Sequence, residues 1–258
     1  MGYPGLSLEG RVAVVIGGTS GIGKHLSTGL AEAGADVVPT SRRETEVTAT
    51  ADAVAALGRR TLRVPSDVTD RASLQKVCDT AVKELGKVDI LINCAGRIKR
   101  TPTLEVSEEE FSGIVETNLM GTLRACQVFG RHMLSRGYGR IINIGSLNSF
   151  VAFHEVAAYA ASKGAVAMLT RSLAVEWGAR GVLCNAIAPG VFRTPLNQEL
   201  LDGTPRGQEL LMRTPLKRFG KLDELIGTAV YLASESASFV NGQIIAVDGG
   251  FLASGVNQ

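Results

Sequence analysis

The stretch Arg11-Val-Ala-Val-Val-Ile16-Gly17-Gly-Thr-Ser-Gly21-Ile-Gly23-Lys24 decides the architecture. A run of apolar, mostly β-branched residues, Val12–Ile16, passes straight into a glycine-rich turn, and the turn opens onto an amphipathic stretch, Ile22–Ala33. A run of that length fits a strand covered on both faces, and the helical periodicity after it fits a helix packed on that strand. A helix that begins at glycines presents unpaired backbone N–H groups to an anion, so the turn is a candidate phosphate cradle. Its spacing, Gly17-x3-Gly21-x-Gly23, departs from the usual G-x-G-x-x-G. Gly18-Thr-Ser-Gly-Ile-Gly23-Lys24 also matches the first seven positions of a P-loop, but His25 stands where a Ser or Thr should hold Mg²⁺. A strand–helix turn that binds nothing is the plainer alternative.

Outward from this unit the same alternation repeats. Short β-branched runs recur at Asp36–Val38, Thr61–Val64, Ile90–Ile92, Arg140–Ile144, Leu183–Ile187 and Ile244–Val247. Amphipathic stretches of helical length lie between them, at Ala72–Leu85, Phe111–Leu134 and Ala157–Trp177. Alternating βα units argue for an α/β, Rossmann-like, doubly wound fold. The sheet is expected to be mostly parallel and seven-stranded, with helices on both faces and right-handed crossovers. No Pro/Gly/Ser-rich linker interrupts the pattern, so residues 1–258 read as one domain. Residues 194–215, which carry Pro195, Asp202-Gly203, Pro205 and Pro215, read as an excursion above the sheet and a candidate substrate lid.

Composition narrows the function. Hydrophobic residues at 45% and charged residues at 20% of 258 are ordinary for a folded protein and argue against disorder. A net charge of +2 is too small for a nucleic-acid footprint, and no nucleic-acid partner is expected. The cysteines, Cys78, Cys94, Cys126 and Cys184, contain no C-x-x-C pair, so no metal site is expected and they read as small buried hydrophobes in a reducing compartment. Neither a secretory leader nor an apolar run long enough to span a bilayer is visible; the expected location is cytoplasmic, with no membrane partner.

The end of the second strand speaks to a dinucleotide. Folds of this kind commonly place an acidic residue there, about 20 residues past the glycines, to bind a ribose 2′-hydroxyl. Here Val37-Val-Pro-Thr-Ser41-Arg42-Arg43 has no carboxylate at its tip. Guanidiniums are always charged and fork onto phosphate oxygens, so Ser41, Arg42 and Arg43 suit a 2′-phosphate. NADP(H) is therefore the preferred cofactor, with NAD(H) as the alternative. A solvated basic helix start is the bland explanation of the same residues.

Tyr159-Ala-Ala-Ser-Lys163 sits in a helical pattern, which puts phenol and ammonium one turn apart on one face. Ser146 lies 13 residues earlier, just past the strand Arg140–Ile144, at the carboxyl edge where open α/β sheets bind ligands. Together with the Gly17/Gly21/Gly23 turn, Asp67-Val68, Asn93-Cys-Ala-Gly96, Asn118, Pro189-Gly-Val-Phe-Arg-Thr194 and Val247-Asp-Gly-Gly250, these residues occur in the order found in short-chain dehydrogenases/reductases. From about residue 8 to residue 250 the chain resembles that family, close to its gluconate 5-dehydrogenase and 3-oxoacyl-carrier-protein reductase members. Two positions depart from it: Ile16 replaces a threonine, losing a hydroxyl that could brace the turn, and Cys94 replaces an asparagine or alanine.

The resemblance implies a catalytic set of Asn118, Ser146, Tyr159 and Lys163. Tyr159 would exchange a proton with the substrate oxygen, the nearby positive charge of Lys163 would stabilise the phenolate, and Ser146 would hydrogen-bond that oxygen. The backbone of Asn118 would hold a water linking the lysine to solvent. For the cofactor it implies Gly17, Thr19, Ser20, Gly21, Ile22 and Gly23 at the phosphates, and Asp67 and Val68 at adenine. Asn93, Ala95 and Gly96 would line the ribose side, with Tyr159 and Lys163 also in contact. Ile187, Pro189, Gly190 and Thr194 would frame the nicotinamide amide. Helix capping is the bland reading of Asp67 and Asn118, and a simple turn that of Pro189-Gly190. The substrate set is Ser146, Asn148, His154, Tyr159 and Arg97, although a loop histidine such as His154 is more often merely solvated.

The basic strip Arg97-Ile-Lys99-Arg100 near the pocket mouth suits a carboxylate. The expected substrate is a small polyol, keto-sugar or sugar acid such as gluconate; 3-oxoacyl-thioester or general ketone reduction is the rival chemistry. A regulatory NADP sensor without turnover is the non-enzymatic alternative. Family members are commonly homotetramers, which implies the same assembly here, with the long helical stretches as packing faces.

Overall fold

The run Val12–Ile16 forms strand β1 with every side chain buried. Val12, Val14 and Ile16 enter the core on one face of the sheet, and Ala13 and Val15 the core on the other, the period-2 alternation of a strand covered twice. The computed structural model describes residues 3–194 and 197–255. Among them the other strands are β2 (Asp36–Thr40), β3 (Ile90–Asn93), β4 (Gly139–Ile144), β5 (Val182–Pro189) and β6 (Ile244–Val247). All are parallel, in the order β2-β1-β3-β4-β5-β6, the arrangement of a Rossmann-like doubly wound sheet.

The helices are α1 (Gly21–Glu32), α2 (Glu44–Ala56), α3 (Arg71–Leu85), α4 (Glu108–Val115), α5 (Gly121–Arg136), α6 (Ala157–Trp177), α7 (Gln198–Leu201), α8 (Pro205–Arg213) and α9 (Ile226–Ala233). One face of the sheet packs Leu74 and Val77 of α3, Phe129 of α5, and Leu173 and Trp177 of α6. The other packs Leu26 and Leu30 of α1 and Ala229 and Leu232 of α9. Each fully buried Leu or Val contributes roughly 1.5–3 kcal/mol, so these two layers fix the sheet between them. A smaller apolar cluster joins Leu201 of α7 and Leu210 of α8 to Leu147 and Phe251, fixing the excursion after β5 above the carboxyl edge. Of the expected lid 194–215, Pro195 and Leu196 lie outside the described residues.

Two expectations are corrected. The sheet has six strands, because Thr61–Val64 runs beside β2 without completing a ladder. Val37 N–H donates to Arg60 O at 3.1 Å and Ser66 N–H to Ser41 O at 2.9 Å, but Pro39, between them, has no N–H to give. The Thr40 hydroxyl reaches Val64 O at 2.6 Å instead. The stretch Phe111–Leu134, expected as one helix, is α4 and α5 joined by a π turn over Glu116–Met120, where Gly121 N–H reaches back to Glu116 O. That wider turn carries Asn118 into the interior.

Candidate active site

A cleft of about 730 Å³ opens along the carboxyl ends of β1, β3, β4 and β5. Its floor is the β1–α1 turn. Gly17 holds φ +75°, and a Cβ there would lie 2.6 Å from Ala95 N; a Cβ on Gly23 would lie 2.1 Å from Gly17 O. Only glycine permits this backbone approach. Gly17 N–H and Gly18 N–H donate to Thr40 O at 2.8 and 3.1 Å. Ser27 supplies the brace that Ile16 cannot, its hydroxyl donating to Gly18 O and Gly23 O, each at 2.9 Å. Ser20 is the N-cap of α1 yet makes no side-chain cap bond, which leaves the first amides of the helix for an anion. His25, where a P-loop needs a hydroxyl, sets its Nδ1 3.0 Å from Gly21 O of its own helix.

Thr19, Ser41, Arg42 and Arg43 line one end of the cleft, with Ser66, Asp67, Val68 and Thr69 beside them. The Thr19 hydroxyl donates to Ser41 Oγ at 2.8 Å. Asp67 is not a helix cap: Asp70 caps α3, while Thr69 donates both its N–H and its hydroxyl to Asp67 Oδ1 at 2.8 Å. Burial works to raise the Asp67 carboxyl, but the Thr69 bonds and the charge of Arg42 hold it below the usual carboxylate range.

The other end gathers Ser146, Tyr159 and Lys163 with Ala95, Gly96, Pro189, Gly190 and Thr194. Ser146, two residues past the end of β4, is the N-cap of a short 3₁₀ turn, Leu147–Ser149, and its Oγ accepts from Asn148 N–H at 3.1 Å. Ser149 ties that turn to α6 through Lys163 O at 2.9 Å. Lys163 is buried; its Nζ donates to Ile144 O at 2.7 Å and lies 5.7 Å from the centre of the Tyr159 ring. Burial lowers the Lys163 ammonium to about 8, still high enough for a charge at neutral pH. The Tyr159 phenol moves up rather than down, because burial outweighs the hydrogen bond to Ser146. Asn118 Oδ1 accepts from Arg97 N–H at 2.8 Å, its Nδ2 donates to Arg97 O and Ser162 Oγ at 3.0 Å, and its carbonyl accepts from the Thr122 hydroxyl at 2.7 Å.

Several anticipated residues stand elsewhere. Asn93 does not line the cleft; its amide points into the core and donates to Asn143 Oδ1 at 2.9 Å and toward Cys126 Sγ at 3.3 Å. Gly23 acts from behind the turn, and Ile187 is buried in β5. Asn148 is buried and donates to Val151 O at 2.8 Å, while the exposed His154 ring pairs with Glu155 at 3.6 Å, outside the lining. Of the basic strip, Lys99 pairs with Glu110 and Arg100 with Glu155, leaving Arg97 on the cleft wall. Residues not anticipated in the lining include Thr117, Phe192, Asn197 and Cys94, whose thiol is pushed up to about 11 by burial. The carboxylate of Glu46 is a further surprise, bound to Arg43 at 2.5 Å. Among the described residues no cluster of His, Cys, Asp and Glu could hold a metal, and no helix is long and apolar enough to cross a membrane.

A parallel sheet whose strand ends carry both a phosphate-type turn and a serine–tyrosine–lysine group defines a dinucleotide-dependent oxidoreductase. The comparisons with known proteins agree. Residues 17–252 match the family model described as enoyl-(acyl carrier protein) reductase. The chain is 41% identical over 248 residues to the 2-dehydro-3-deoxy-D-gluconate 5-dehydrogenase of Dickeya dadantii (strain 3937), covering 96% of this chain and 97% of that one. It is 38% identical over 255 residues to the gluconate 5-dehydrogenase of Gluconobacter oxydans (strain 621H), covering 98% and 100%. The crystal structure of a gluconate 5-dehydrogenase from Burkholderia cenocepacia J2315 in complex with NADP and tartrate matches with a TM-score of 0.94 at 39% identity, covering 97% and 98%. The chain belongs to the short-chain dehydrogenase/reductase family.

Proposed function

We propose that the protein uses NADP(H) to interconvert a ketone and a secondary alcohol on a sugar acid, polyol or keto-sugar such as gluconate. The observation that carries the reaction is the grouping of Ser146, Tyr159 and Lys163 on the wall of the same cleft that holds the glycine turn. The cleft fits a dinucleotide because its backbone is stripped of Cβ atoms at Gly17 and Gly23 and the first amides of α1 are uncapped. Gly17, Thr19, Ser20, Gly21 and Ile22 would hold the phosphates, Ser41, Arg42 and Arg43 a 2′-phosphate, and Asp67 and Val68 the adenine. Ala95, Gly96, Lys163, Pro189, Gly190 and Thr194 would hold the nicotinamide half. When bound, the nicotinamide would deliver or accept the hydride.

The chain's own part is the proton. In reduction, Tyr159 Oη gives its proton to the substrate oxygen and the resulting phenolate is stabilised by the Lys163 ammonium; in oxidation the phenolate takes the proton back. Ser146 Oγ donates a hydrogen bond to the oxygen as charge develops. Asn118 holds the Arg97 peptide and Ser162, and so positions the two walls that flank Lys163. Substrate contact is proposed for Arg97, Ser146 and Tyr159, with Asn148 supporting the Ser146 turn and His154 at the outer rim.

The sugar-acid reading draws on the named relatives and on the Arg97 guanidinium in the lining. NADP⁺ reduction with gluconate and 2-keto-3-deoxy-gluconate, set against NADPH oxidation with a 3-oxoacyl thioester and with hydrophobic ketones, tests it. Turnover confined to the last two groups overturns the substrate class. Tight NADPH binding with no turnover on any of them leaves a sensor. The same proposal includes a lid over residues 194–215, a homotetramer, and a cytoplasmic setting. Four free cysteines fit a reducing compartment, and exposed Met168 and Val175 on α6 fit a packing face. Sedimentation at micromolar concentration reads the assembly.

A further inference from the structure

We propose that Glu46 sets how strongly this chain prefers a 2′-phosphorylated dinucleotide, by competing with the phosphate for Arg43 and Thr19. The inference rests on the NADP(H) reading above and assigns a residue that tempers it. Arg43 is the N-cap of α2, and Glu46, one turn in, folds its carboxylate back over the helix start. Glu46 Oε2 accepts from Arg43 Nη2 at 2.5 Å and from the Thr19 hydroxyl at 3.3 Å. Thr19, Ser41, Arg42 and Arg43 all line the cleft. Of these four groups Arg43 is therefore already paired with an anion that belongs to the protein, and the Thr19 hydroxyl, which also faces Ser41, lies within reach of the same carboxylate. Arg42, the other guanidinium at this end, has its charge directed on the Asp67 carboxylate instead.

A phosphate monoester carries about 1.5 to 2 negative charges at neutral pH and takes several strong hydrogen bonds. Entering this end of the cleft, it must share Arg43 with the Glu46 carboxylate or displace it, and it meets like charge either way. A ribose bearing a free 2′-hydroxyl pays no such penalty, since a hydroxyl can donate to a carboxylate. The side chain thus weakens the phosphorylated ligand more than the plain one, and keeps the site open to NAD(H).

The bland alternative is that Glu46 only stabilises the first turn of α2, where an acid is favourable. Calorimetric titration of wild type and Glu46→Gln with 2′,5′-ADP and with ADP separates the two. The amide keeps the shape and removes the charge. The ratio of the ADP Kd to the 2′,5′-ADP Kd is expected to rise about five- to tenfold in the variant. Glu46→Ser, which removes both the charge and the reach of the side chain, is expected to move the ratio the same way, with melting temperatures measured alongside. A ratio unchanged within about twofold, or both ligands weakened in parallel, overturns the proposal. The NADP(H) reading itself is judged separately, by the wild-type ratio: equal affinities there would sink that reading while leaving the change on substitution to decide the role of Glu46.

Discussion

Lys163 donates to the Ile144 carbonyl and holds its proton less firmly than a lysine in water, because burial brings it down to about 8. Its pKa in the unfolded chain is near 10.4, so between those values unfolding takes up a proton and stability from this group rises with pH; below about pH 8 the full penalty of the buried charge is present. Lys163→Met is therefore expected to gain on wild type at pH 7 and to lose about 3 kcal/mol of that relative advantage by pH 10.5, read from denaturant midpoints. Tyr159, its phenol raised by burial, is protonated at neutral pH and ready to donate. Alcohol oxidation needs the phenolate beside a charged Lys163, so the oxidation rate is expected to climb with pH up to about 8 and to lose that slope above it, where the ammonium gives up its proton, while reduction does not climb; pH–rate profiles in both directions read this. Tyr159→Phe should lower kcat by about 10²- to 10⁴-fold with NADPH binding retained, which single-turnover and binding measurements together would show. At this scale the sequence exposes neighbours that local spacing sets, as it does Tyr159 and Lys163 on one cleft wall. It hides Glu46, whose importance comes from folding back onto Arg43, and it misplaces Asn93, which strand register turns toward Asn143 rather than the cleft.

Turns and helices carry the next level. The β1–α1 turn is legible because five consecutive apolar residues and three spaced glycines have few other uses. Gly23→Ala would set a methyl 2.1 Å from Gly17 O, backbone against backbone, with no flexible side chain to yield. The variant is expected to lose NADPH-induced thermal stabilisation even where it still folds, because the turn must open to admit the methyl; an unchanged shift in Tm would show that the turn does not bind phosphate. The π turn over Glu116–Met120 is invisible to a 3.6-residue pattern, since one extra residue per turn leaves apolar spacing on both sides intact. The first turn of α2 escapes the sequence for another reason: its threonines and alanines give little amphipathic contrast, and Arg43 is an unusual N-cap.

Across the whole molecule, the two edges of the sheet divide the work. The carboxyl edge holds the cleft; at the amino edge Asp89, fully buried, accepts from Val12 N–H at 3.0 Å and pairs with Lys87 and Arg136, each at 3.0 Å. Asp89→Ala strips three partners of their acceptor and is expected to cost about 3 kcal/mol in unfolding free energy, while kcat per folded molecule stays within about twofold. A matching fall in kcat would show that the two edges are coupled. The parallel, doubly wound layout follows from alternation, but the number of strands does not, because Pro39 acts through the hydrogen bond it withholds rather than through hydropathy. That missing amide also matters when molecules crowd together. An incoming sister strand would find the outer rim of β2 already lined by Thr61–Val64 and interrupted at Pro39, so no continuous row of donors is open at that margin.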